Sequence, residues 1–357
     1  MGRVYSIDYI KFFAILAVVV IHTTSVDTQL GLILNALSRF SVPFFFVASG
    51  YFIGLKLINS TGTSECLSYV KSYIFKLVKI YGWCILFYVW YDTSVLTLVN
   101  IQNGTNILQG LADYFKDSFS FLNVFYYGTV SSGYQLWFLP SLFWSVLILY
   151  SFYRIGRINL LMIISLVLNV VGLFGQAYAV LSLINITFST LDTLFFGLFY
   201  TTLGFYFAKY YPSLKVKLSN STLITLIIAF FTTQVVESIV LNSPSSYFIS
   251  TIFLTISIFL FALNNRSLGK NSIISRIGAH SLGIYILHVF IISVINLGLD
   301  MLNVAIIKEM VIIRILYTPF IFAISYLTYF ILQKIKQMII QSTGKKGEII
   351  TTSDVLG

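Results

Sequence analysis

The chain has 357 residues, 58% hydrophobic and only 10% charged, with a mean hydropathy of +0.90. A soluble domain carries roughly 25% charged residues, so this composition excludes a water-soluble globular protein and makes the bilayer the solvent. The net charge of +10 comes from basic residues dispersed among loops with no patch interleaved with aromatics, which excludes nucleic acid as a partner; the two cysteines, Cys66 and Cys84, form neither a disulfide framework nor a metal site.

Windows long enough to cross ~30 Å of hydrocarbon predict ten spans, near 9–26, 40–58, 74–96, 136–153, 158–180, 190–210, 220–241, 246–264, 281–299 and 311–332. The fold class is therefore an all-α polytopic membrane bundle. Residues 1–335 make one transmembrane domain, and 336–357 a polar cytoplasmic tail expected to be disordered. No small-residue cleavage site follows His22, so the first span is read as an anchor and not as a signal peptide.

That first span reads IDYIKFFAILAVVVIH, from Ile7 to His22. A bilayer helix gains nothing from buried ionisable groups, so Lys11 and His22 are candidate functional residues. They lie eleven positions apart. That separation is about three turns and roughly 16 Å of rise, which puts both on one face at different depths. Asp8 and Ser25 extend the stripe, and Lys11 and His22 are expected to line one internal channel.

Basic residues crowd alternate connections: Lys56, Lys71, Lys76 and Lys79; Arg154 and Arg157; Lys209, Lys215 and Lys217; Arg266, Lys270 and Arg276; Lys334, Lys336, Lys345 and Lys346. The positive-inside rule then places both termini in the cytoplasm of a cell with this chain in its plasma membrane, and the polar 97–134 segment outside. His22 falls ~20 Å up its helix, in the outer half of the bilayer, and Lys11 near the cytosolic face. Arg39, Asp92, Gln135, Asp192, Glu237 and Arg314 also fall on the outer side. Such groups are costly against lipid, so they either point into an interior cavity or sit among headgroups and water.

In the ninth span, SLGIYILHVF, the residues Ser281, Tyr285 and His288 share one helical face, with His288 at mid-membrane. A histidine hydrogen-bonded between helices is ordinary packing chemistry, and a substrate contact is the functional alternative. His280 lies at the cytosolic mouth.

These segments resemble the membrane-bound acyltransferase family 3, bacterial enzymes that move acyl groups, often acetyl, from a cytosolic donor onto surface glycans or lipids. Lys11 and His22 match the family's opening helix, with lysine in place of its arginine. PFFFVASGYFI is similar to the second-helix signature at Ser49, Gly50 and Phe52, and FKLVKIYGW to the cytosolic Arg-x-x-Arg of the third helix, with Lys76 and Lys79 in the arginine positions. LWFLPSL, which contains Trp137, and SLGIYILH, which ends in His288, resemble the fourth-helix and late-helix signatures. Lysine keeps the charge of the replaced arginines and loses the planar fork.

The resemblance implies that His22 is catalytic, as a general base or as a transient acyl carrier, with Lys11 beside it. Acetyl-CoA is the implied donor, held from the cytosol by Lys76 and Lys79 with Ser49 and Gly50, or by the R-x-x-R of Arg154 and Arg157; no metal is implied. The acceptor is a glycan or lipid-linked glycan received by Arg39, Asp92, Gln135, Trp137, Glu237 and His288, while Asp92, Glu237 or Asp192 orients the histidine. Oligomeric state stays open. The competing class is a transporter or exporter of a surface polysaccharide, which should show paired broken helices. Of the five prolines, Pro319 alone lies well inside a predicted span.

Overall fold

A computed structural model describes residues 3–130, 132–181, 186, 188–213, 217–242, 247–302, 304 and 311–342. Helices make up every regular element among them: α1 (Tyr5–Thr23), α2 (Gln29–Ser38), α3 (Ser41–Asn59), α4 (Thr63–Asn103), α5 (Ile107–Ser118), α6 (Phe138–Arg154), α7 (Ile158–Leu173), α8 (Leu198–Tyr210), α9 (Asn220–Val240), α10 (Ile249–Asn264), α11 (Ile273–Gly278), α12 (Ser281–Met301) and α13 (Val311–Ser342). Short π-helical turns at Asn123–Tyr127 and Thr193–Gly197 and a 3₁₀ turn at Tyr134–Trp137 lead into α6 and α8.

Each of the ten predicted spans overlaps one of these helices, the one at 190–210 through the 13 residues of α8. Seven helical stretches among the described residues have the length and apolar character to cross a membrane, whereas Ile158–Leu173 and Ile249–Asn264 are shorter. The protein is a polytopic helical membrane protein. Its surface is inverted relative to a soluble one, since Trp83, Leu86 and Trp90 on α4, Ile163 on α7, Ile228 on α9 and Leu327 on α13 are exposed and apolar.

Helix α3 lies in the middle and packs closely on α8. A Cβ at Gly50 would sit 1.9 Å from the Thr201 carbonyl oxygen, and one at Gly204 would sit 2.1 Å from that of Val47. Without a hydrophobic drive between helices in lipid, such small residues let backbones approach until dispersion contacts hold them. The same device seats α11 on α1, where a Cβ at Gly278 would lie 1.9 Å from Asp8 O. Helix α1 is thereby fixed against α2, α3, α11, α12 and α13.

The bundle has two distinct ends. One, here the basic end, joins Ser6 to Ala262 O at 2.6 Å, Lys56 to Glu65 at 3.0 Å and Tyr153 to Leu57 O at 3.0 Å. The other, here the cavity end, joins Thr23 to Thr318 at 2.6 Å and Glu237 to Ser250, and buries the Gln234 amide on Ala36 O.

Four features depart from the sequence reading. Residues 29–38 form α2, whose first turn is capped by Thr28 accepting from Gly31 N at 3.1 Å, and 107–118 form α5 within the segment expected as a loop. Helix α7 stops at Leu173 rather than near 180, because Thr190 donates to Gly172 O at 2.9 Å and the chain turns tightly at Gly175. Helix α13 runs to Ser342, so 336–342 are helical rather than part of a disordered tail. Residues 343–357, with Lys345 and Lys346, and likewise Lys215 and the side chain of Arg314, lie outside the described part.

Candidate functional site at the cavity end

His22 ends the apolar run of α1, half-buried in its last turn. It lines a cavity of about 580 Å³ together with Arg39 from the end of α2, Gln135, Trp137 and Tyr134 from the 3₁₀ turn, and Tyr285 from α12. The His22 ring lies 5.2 Å from the Tyr134 ring and 5.2 Å from the ring of His288, which is fully buried behind it. Asn123 and Tyr127, from the segment between α5 and α6, complete the wall.

The wall is held by a chain of hydrogen bonds. Tyr285 donates its hydroxyl to the backbone carbonyl of Gln135. Gln135 Nε2 donates to Tyr88 Oη at 2.5 Å, and Tyr88 donates to Ile286 O at 3.1 Å. The amide nitrogen of Gln135 is therefore committed, and its Oε1 is buried without a partner. A buried acceptor left open costs roughly 1–3 kcal/mol. The same cavity is lined by the aromatic side chains of Trp137, Tyr134 and Tyr127.

Below this cavity the packing closes to a throat of about 10 Å³, lined by Val18, Val42, Phe45, Phe138, Leu282 and Tyr285. That is room for about one water sphere. Lys11 lies farther down α1, only 1% exposed, with Nζ 4.0 Å from Asp8 Oδ1 and 5.5 Å from the centre of the Phe52 ring. Lys11 is not among the residues that line the His22 cavity. Lys11 shares the helix but not the cavity, because apolar side chains fill the space between them.

The outer carboxylates hold loops instead of the histidine. Asp92 accepts from Ser132 Oγ at 2.5 Å, Ser132 N at 3.1 Å and Tyr114 Oη at 3.1 Å. Asp192 caps the turn into α8, accepting from Phe195 N at 3.0 Å and Tyr126 Oη at 2.9 Å. Glu237 accepts from Tyr178 Oη at 2.7 Å and from both the amide and the hydroxyl of Ser250. None of the three lines the cavity. In this structure Asp92 and Glu237 tie down loops by these hydrogen bonds.

The residues matched to donor binding also separate. Ser49 donates to Phe45 O one turn back at 2.9 Å, and Gly50 is spent on the contact with α8. Both are buried in this structure. Lys76 is half-buried on α4, whereas Lys79 is exposed beside Val78, Trp83 and Leu86 on its outward face. At the basic end, Arg154 and Arg157 flank an open groove of about 330 Å³ lined by Tyr153, Asn159, Phe205 and Lys209.

Sequence reasoning brought His22, Arg39, Gln135, Trp137, His288 and the aromatic stretch holding Tyr127 and Tyr134 to one place and missed Tyr88 and Asn123. Tyr88 reaches the site only through Gln135 and Ile286, 47 and 198 residues away in the chain. No local pattern marks such a residue.

Comparison with known proteins follows the same lines. The chain is similar to two proteins of Enterococcus faecalis named amino-acid racemase. One is 27% identical over 314 residues, covering 82% of this chain and 42% of the relative; the other is 29% identical over 177 residues, covering 48% and 22%. The chain thus spans less than half the length of the curated relatives it matches. No solved structure matches it. The acyltransferase family 3 model, described as an acyltransferase domain, matches residues 4–330, which takes in every helix that builds the cavity, and the chain belongs to that family.

Proposed function

We propose that the chain transfers an acetyl group from acetyl-CoA to a hydroxyl of a cell-surface or lipid-linked glycan. The observation that carries this reading is the placement of His22 on the wall of an aromatic-lined cavity that Gln135 and Arg39 also line. In this reading the basic end faces the cytosol, both termini with it, in a plasma membrane; the distribution of lysine and arginine supports that orientation. The glycan enters from the opposite side.

His22 acts as general base. It takes the proton of the acceptor hydroxyl as the new O–C bond forms and the thioester C–S bond breaks, and the proton passes to the departing thiolate. Gln135 Oε1 holds a neighbouring hydroxyl, and Arg39 supplies positive charge at the cavity wall, where the carbonyl oxygen becomes anionic. Cations at the basic end, Lys76 or the Arg154 and Arg157 pair, attract the phosphates of the donor. The throat of about 10 Å³ supports transfer over export, since it closes to the size of one water and would have to widen far less for an acyl thioester than for a polysaccharide.

The test is an assay of purified protein with radiolabelled acetyl-CoA and surface glycan. Wild-type protein should label the glycan, and His22→Ala should lower the rate by about 10²–10⁴-fold with protein levels unchanged. Full activity of His22→Ala would remove the reading.

A further inference from the structure

The cavity leaves one role unfilled. A histidine base needs an acceptor on its second nitrogen to fix its tautomer and to steady the imidazolium that forms, a task given elsewhere to a carboxylate. Asp92, Asp192 and Glu237 are all occupied with loops.

His288 has the chemistry for that role. Its Nδ1 lies 2.8 Å from Tyr285 O and 3.2 Å from Ile284 O, one turn back on α12. Carbonyl oxygens only accept, so Nδ1 carries the hydrogen and the neutral ring has its lone pair on Nε2. That Nε2 is buried without a partner. The Tyr285 hydroxyl, a donor on the same helix, is committed to Gln135 O. What faces His288 from α1 is the His22 ring, at a centroid separation of 5.2 Å. Two imidazoles joined by one N–H···N bond of about 2.9 Å have centroids about 5 Å apart. Catalytic hydrogen bonds are commonly loose before substrate binds, and the centroid separation here matches the one such a bond requires.

We propose that His288 is a positioning residue which accepts a hydrogen bond at Nε2 from His22 and so fixes the His22 tautomer, leaving the other His22 nitrogen with its lone pair toward the cavity. This rests on reading His22 as the base. When His22 takes the acceptor proton, its N–H to His288 becomes a charge-assisted bond; the proton leaves with the thiolate, and His288 ends as it began. Tyr134 from the 3₁₀ turn, Arg39 from α2, Tyr127 and Tyr285 are the other titratable side chains lining the cavity with His22, and the Tyr285 hydroxyl is committed to Gln135 O. Tyr134 meets His22 through its ring, and Arg39 cannot accept a hydrogen bond.

The chain has three histidines, so ¹⁵N spectra of the full-length protein in lipid bilayers can be assigned by replacing them singly. Wild-type His288 should show the Nδ1–H tautomer and His22 a single neutral tautomer; in His288→Phe, His22 should show the mixture of a free imidazole. A protonated Nε2 on His288, a mixed His22 tautomer in the wild type, or a His22 signal indifferent to His288→Phe would overturn the proposal, whatever the protein acylates. In acetyl transfer, His288→Phe should lower kcat on the order of 10²-fold with KM for acetyl-CoA unchanged. His288→Gln, whose amide oxygen is an acceptor of similar reach, should recover most of the loss. Equal loss in both variants with well-folded protein would reduce His288 to packing. Activity surviving His22→Ala would instead remove the base itself, and that outcome is read separately from the spectra.

Discussion

Lys11 and Asp8 face each other one turn apart on the first helix, Nζ to Oδ1 at 4.0 Å, while Arg3 grips the same carboxylate at 2.7 Å from the protein's edge. The pair seats the basic end of α1 and lies outside the His22 cavity. Removing one member of a buried pair costs about 3–5 kcal/mol, because the remaining charge stays desolvated. Asp8→Asn should therefore lower thermal stability in detergent more than Lys11→Met, which leaves Asp8 its arginine. A double-mutant cycle should give a coupling of about 0.5–3 kcal/mol; strict additivity would contradict the pairing.

Close approach of α3 and α8 makes a second expectation. A methyl at Gly50 meets a backbone oxygen at 1.9 Å and one at Gly204 meets another at 2.1 Å, and neither oxygen can rotate away. Gly50→Ala and Gly204→Ala should each cost about 1–3 kcal/mol or abolish a monodisperse peak on size exclusion. Gly82, inside α4 with nothing within 4 Å of where its methyl would sit, is the control. Gly82→Ala should be neutral or stabilising by roughly 0.5–1 kcal/mol, as in any helix interior.

The Gly50 contact also marks how far the sequence could be read. Apolar runs located the spans, because a helix alone satisfies the backbone of a single segment in lipid from within that segment. His22 stood out because an ionisable group there is expensive. The second-helix signature was visible as well, but whether its Ser49 and Gly50 touch a ligand or a neighbouring helix depends on α8, about 150 residues later. Asp92 and Glu237 raise a related difficulty. Their partners Ser132 and Ser250 are tertiary contacts, and a carboxylate at a span end looks alike whether it binds substrate or a loop. The meeting of His22 with His288 joins residues on the first and late helices, which periodicity cannot pair.

Because these carboxylates are clamps, Asp92→Asn and Glu237→Gln should act on stability rather than chemistry. Each hydrogen bond to a charged acceptor contributes about 1.5–3 kcal/mol, so a drop of several degrees in melting temperature is expected while acetyl transfer stays within several-fold of wild type. A loss of kcat as large as that of His22→Ala, with the melting temperature unchanged, would restore them to the active site.

Donor binding is resolved by comparing cations. Lys79 faces outward beside Trp83 and Leu86, whereas Lys76 is half-buried. Lys76→Gln should raise KM for acetyl-CoA with kcat little changed, the pattern of a lost ground-state contact, and Lys79→Gln should leave both constants near wild type. A KM raised only by the combined Arg154→Gln and Arg157→Gln variant would move the donor to the groove lined by Tyr153 and Lys209.

The central claim is that an acyl group enters at the basic end and leaves at the cavity end through His22. Its most direct measurement uses proteoliposomes in which the protein's orientation is fixed and labelled acetyl-CoA is confined to one side. With donor at the basic end and glycan only at the cavity end, wild-type protein should acetylate the glycan and His22→Asn should not. Acetylation only when donor and glycan share one compartment, or equal labelling by His22→Asn, would contradict the account.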